Sequence, residues 1–139
     1  MRFTTLALAG ALLMAGTVTS PAISAEKPKG EAALQKVLEG RVAGKPVDCI
    51  QLNTIRSSRI IDRTAIVYEA PGGVLYVNRP RSGQQSLTDW NVQVTRTQSS
   101  QLCSIDTVRM VDRTSQMFAG SVFLGEFVPY TKVKPVKAI

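Results

Sequence analysis

The chain has 139 residues, with 17 Lys and Arg against 10 Asp and Glu, two cysteines and no histidine. Without histidine it lacks Ser-His and Cys-His nucleophile pairs and most of what ligates a transition metal. The basic balance invites a nucleic-acid partner, but residues 46–131 hold eight Arg, no Lys and seven acids, so the excess sits at the chain ends rather than on one face.

The N-terminal segment 1–25 reads as a secretory signal peptide: Arg2, an uncharged apolar run from Leu6 to Val18, then a small-residue cleavage site ending at Ala25. The run is shorter than the ~20 residues that a membrane helix needs. The mature protein is therefore expected at 26–139, periplasmic or secreted, with one domain's worth of core. Residues 26–45 read as a linker and short helix, 46–131 as the β domain, and 132–139, with Lys132, Lys134 and Lys137, as a flexible basic tail.

Glu31 to Glu39 is the one helical stretch, with Ala33, Leu34, Val37 and Leu38 on one face and Gly40 as its stop. Val42 to Pro46 reads as a turn. The period then changes to two. Strands are expected at Val47 to Ile55, at Ile60-Ile61 with Thr64 to Glu69, and at Val74 to Asn78 after a Pro71-Gly72-Gly73 turn. Ile66 and Tyr68 should face one side of their strand, and Ala65 and Val67 the other. Arg79 to Gly83 is a loop. Trp90, Val92 and Val94 alternate with Asn91, Gln93 and Thr95 as a half-buried strand. Leu102 to Val111 and Ser121 to Tyr130, bent at Gly125, are the last two. The fold class is mainly β: a small antiparallel barrel or rolled sheet of five to six strands, with one short N-terminal helix over an open end or edge.

Export favours pairing Cys49 with Cys103 as a structural disulfide. Their wide separation in the chain is unlike the close spacing of catalytic dithiols. Around them the chain nearly repeats itself: C-I-Q-L-N-T-I-R-S-S-R-I-I-D-R-T begins at Cys49, and C-S-I-D-T-V-R-M-V-D-R-T begins at Cys103. Each copy reads as a strand running into a bend at Asp-Arg-Thr, the two lying side by side or across the barrel so that the sulfurs meet. Asp62, Arg63, Asp112 and Arg113 are either charge-paired turn corners or a binding site. The Arg-rich, nearly neutral middle suggests internal ion pairs on a sheet surface.

No cofactor or metal site is indicated, since two cysteines without histidine do not make a zinc centre. Carboxylates remain for acid/base work, but Asp106 and Asp112, on one face of one strand region, would stand ~20 Å apart if extended. Trp90, Tyr68, Tyr76 and Tyr130 are expected to fill the core, with stacking on a sugar or peptide as the alternative.

The segments "GRVAGKPVDCIQL", "IIDRTAIVYEAPGGVLYVNRP", "QLCSIDTVRMVDRTS" and "GSVFLGEFVPY" resemble a family of small exported proteobacterial proteins catalogued only as a domain of unknown function. The resemblance spans Arg41 to Tyr130. It implies a second cysteine pair in many members, near Gln85 and near Ser121 or Val122, absent here, and brings no activity. The leading expectation is a non-catalytic exported domain with a binding or structural role in the envelope. Its partner would be an envelope protein, an anionic polysaccharide or a lipid surface. The alternatives are a carboxylate enzyme using Asp62, Asp106 or Asp112, or a protease inhibitor presenting Arg79-Pro80-Arg81-Ser82-Gly83.

Overall fold

The computed structural model describes residues 29–134. The signal peptide, its cleavage near Ala25 and the end of the basic tail lie outside the described residues. A helix, α1 (Lys29–Val37), precedes ten strands: β1 (Arg41–Ala43), β2 (Cys49–Gln51), β3 (Ser57–Ile61), β4 (Ala65–Glu69), β5 (Leu75–Asn78), β6 (Asn91–Val94), β7 (Gln101–Cys103), β8 (Thr107–Asp112), β9 (Phe118–Phe123) and β10 (Phe127–Lys132). All pair antiparallel, in a five-stranded sheet of order β1-β10-β5-β4-β3, a three-stranded sheet β6-β8-β9 and a ribbon β2-β7.

Mainly β is right, but the barrel is not. Two isolated bridges, Val47 to Phe127 and Ser82 to Phe123, tie the segments together on one side. Opposite them, β3 and β6 are both unpaired edges, so no sheet closes. The strand number was also too low, because local chemistry interrupts three expected strands. After Gln51 the chain turns at Leu52–Thr54, where the Thr54 hydroxyl donates to Gln51 O at 2.9 Å. Between Cys103 and Thr107, the Asp106 carboxylate accepts the Cys103 N–H at 2.7 Å and closes a tight turn. At Gly125, buried Asn78 both donates to Gly125 O (2.6 Å) and accepts Gly125 N–H (3.1 Å). A Cβ at Gly125 would stand 2.4 Å from Arg79 O, so the bend needs glycine. The expected turn at Val42 is instead β1, and Lys132, placed in the tail, pairs with Arg41 at the end of β10.

The five-stranded sheet is covered on both faces. On one, α1 places Leu34 among Ile61, Ala65, Val67, Leu75 and Val77. The helix thus lies on a sheet face rather than over an open end. On the other face Ile66, Tyr68 and Phe127 meet Val108, Met110 and Val122 of the three-stranded sheet, and Ile50 and Leu102 of the ribbon. The rings of Tyr68 and Phe127 meet edge-on, 5.8 Å between centroids.

Candidate functional site

Cys49 and Cys103 face each other across β2 and β7 and form a disulfide, with Cα atoms 4.0 Å apart. Ser104 N–H donates to Asp48 O, and Leu52 N–H to Ser100 O. Bonded positions therefore fall on either side of the cysteines, which occupy a non-hydrogen-bonded pair, the site where opposed side chains come closest. The near-repeat resolves as a shared plan: each cysteine strand is followed by a hairpin, β3-β4 or β8-β9, whose connection starts with Asp-Arg-Thr.

Those turns are not charge-paired corners. The Asp112 carboxylate accepts the Thr114 N–H, the Ser115 N–H and the Ser115 hydroxyl at 2.7–3.0 Å. These bonds, the Ser115 amide foremost, hold its pKa below the usual carboxylate range. Arg63 N–H donates to Leu87 O, and Arg113 N–H to Trp90 O, so both turns lean on residues 87–90 through their backbones. Among the described residues the single ion pair joins Arg79 to Glu31 of α1 by a two-pronged contact at 2.9 Å. The expected network of ion pairs on the sheet surface is absent there. Arg81 instead donates to the carbonyls of Leu124 and Ser104.

The three candidate carboxylates do not converge. Asp106 and Asp112 stand at opposite ends of β8 and are engaged by backbone amides. Asp62 lines a hollow of about 370 Å³ with Asp89 and Lys29, and neither Asp106 nor Asp112 is among its lining residues. No group of three or more metal-ligating side chains gathers among the described residues. The Arg79 to Gly83 loop does not protrude as an inhibitor loop must. Pro80 is buried, Arg81 N–H donates to Phe123 O, and Ser82 bridges to Phe123.

The largest departure from expectation is β6. Its alternation is present with the opposite sense. Asn91 and Gln93 point inward, Asn91 donating to Ser86 O and Gln93 accepting the Tyr68 hydroxyl. Val92 and Val94 point outward, and Trp90, assigned to the core, is 73% exposed. The register extends that outward face across the sheet in rows: Val92, Val111 and Phe118, then Val94, Arg109 and Ser121, then Thr107 and Phe123. Phe118 is 59% and Phe123 47% exposed. Met117 and Trp90 extend the surface at one end, and Ile105 at the other. Seven of the ten large exposed hydrophobics among the described residues lie on this sheet and its turns, a concentration typical of contact surfaces. Arg109, the only charge in the rows, sits over the Phe118 ring at 5.2 Å. Period-two alternation marks two faces without telling which is inside, so this surface was not readable from spacing.

No family model, curated protein or solved structure matches the chain. A disulfide suits an oxidising compartment. No helix among the described residues is long and apolar enough to cross a membrane.

Proposed function

We propose that this is a non-catalytic binding domain of the cell envelope, exported by the signal segment that ends at Ala25, which holds another envelope protein against the outer face of β6-β8-β9. The observation that carries this reading is the face itself: aromatic and β-branched side chains left in water on a sheet whose other side packs Val108, Met110 and Val122 into the core. A protein surface suits it better than an anionic lipid or polysaccharide surface. Residues 89–123 carry three Arg and three Asp, so the region offers no net positive field. A single central cation over an aromatic ring instead asks for one carboxylate within an apolar contact.

Immobilised, oxidised protein incubated with envelope extract should retain a defined partner, and Phe118→Ser and Arg109→Glu should each release it. Unchanged retention by both variants would remove this face as the contact. Export is tested separately, by sequencing the N-terminus of protein released by osmotic shock. A start at Glu26 is expected, and an intact Met1 start would refute cleavage.

A further inference from the structure

The open seam between β3 and β6 carries a second inference, independent of the outer face. Backbone bonds show which way each edge points. Ala70 N–H donates to Val74 O, so the even-numbered residues of β4 bond to β5. Arg56 N–H donates to Glu69 O, so the odd ones bond to β3. Amides alternate along an antiparallel ladder. Ser57, Arg59 and Ile61 are thus engaged with β4, and Ser58 and Ile60 turn their N–H and C=O groups outward. On β6, the bond from Arg113 N–H to Trp90 O places Val92 and Val94 in the ladder with β8. Gln93 and Thr95 then present their backbone groups to the seam.

Between these edges runs a hollow of about 320 Å³, walled by Ser58, Arg59, Ile60, Asn91 and Gln93. A second hollow of about 230 Å³ shares Ser58 and Gln93 and continues past Thr95 to Arg56. The seam is crossed by side chains: Gln93 donates to the Ser58 hydroxyl and accepts the Tyr68 hydroxyl at 3.2 Å. Arg56, Arg59 and Arg113 line the two hollows, and none forms an ion pair among the described residues. Asp89 is the one carboxylate lining them.

We infer that this seam takes an extended acidic peptide by strand addition. The peptide's backbone would bond the outward groups of β3 or β6, and its carboxylates would meet Arg56, Arg59 and Arg113. Main-chain bonding supplies the affinity, and the cations select the sign of charge. A second copy of this chain is the less fitting occupant, because it would set the same cations against each other.

The test uses the oxidised mature chain and a blocked, fluorescein-labelled hexapeptide of alternating Asp and Val. Saturable binding is expected, with amide shifts confined to Ser58, Ile60, Gln93 and Thr95. A Lys-Val counterpart should bind at least about tenfold more weakly. Arg59→Glu with Arg113→Glu should reverse that preference. Methylating alternate peptide nitrogens should abolish binding to the unmodified protein, and Gln93→Pro, which removes an outward N–H, should do the same. Should Gln93→Pro fail to fold, the methylated peptide still decides. The inference is overturned by no saturation up to about 1 mM, by equal binding of the methylated peptide, by amide shifts on Phe118 and its neighbours instead, or by a peptide-free dimer through this seam.

Discussion

Two interior strands, one from each of the larger sheets, make an instructive pair. Along β4, Ala65, Ile66, Val67 and Tyr68 are buried one after another, because α1 covers one face of its sheet and the three-stranded sheet covers the other. Along β8, Val108 and Met110 are buried while Thr107 and Arg109, alternating with them, are exposed. Both strands are flanked by partners on each edge. What separates them is the number of layers stacked on the sheet, and only the layer missing above β8 leaves apolar side chains available to a partner.

The comparison can be broken most forcefully at the disulfide, which anchors the ribbon under both sheets. Cys49→Ser or Cys103→Ser should cost ~4 kcal/mol by loop-closure reasoning, and should lower Tm by roughly 15 °C or more. The double change should cost little beyond either single one, as thermal melts under oxidising conditions will show. Next comes the covered face. Leu34→Ala removes the helix's buried anchor and should cost about 2–5 kcal/mol in denaturant titration. Gly30→Ala tests the same contact from the backbone. The new Cβ would stand 2.0 Å from the Thr64 hydroxyl oxygen and 2.2 Å from Asp62 O, so a loss of about 1–3 kcal/mol is expected. On the bare face an equally drastic truncation, Phe118→Ser, should stay within about 0.5 kcal/mol. Were Phe118 to cost as much as Leu34, the contrast between the faces would fail.

The smallest effect is a pH dependence. Asp112 has a folded pKa below its unfolded value of about 4. Its contribution to stability is therefore full above that value and is lost as pH falls through the folded pKa. Tm should drop on acidification below about pH 4, and Asp112→Asn should flatten that part of the curve. An identical acid profile in the variant would deny the turn this role.

Where spacing and chemistry coincide, the sequence was informative. Pro71-Gly72-Gly73 makes the β4-β5 connection with both glycines at positive φ. Ile66 and Tyr68 do part from Ala65 and Val67 onto opposite faces. The cysteines pair as their wide spacing and the expectation of export suggested. The strand break at Asp106 was less legible, because it depends on a side-chain bond that stops a strand of unbroken period two, whereas the bend expected at Gly125 is there and ends the strand outright. The outward turn of Val92 and Val94 was beyond reach, since no pattern within β6 shows that Tyr68, on a distant strand, will take the Gln93 amide as its partner. For the same reason Trp90 looked like core, and Phe118 drew no notice in Ser-Gln-Met-Phe.

Strand β10 is the last of the ten described strands to be synthesised, yet it lies between β1 and β5 inside the largest sheet. No stretch emerging earlier can complete that sheet. A chain emerging amino end first must hold β1 and the β4-β5 hairpin as unfinished borders until Phe127–Lys132 arrives. The five-stranded sheet is thereby completed only once β10 is available, and a product truncated before Phe127 would carry two adhesive strand borders in place of one finished wall.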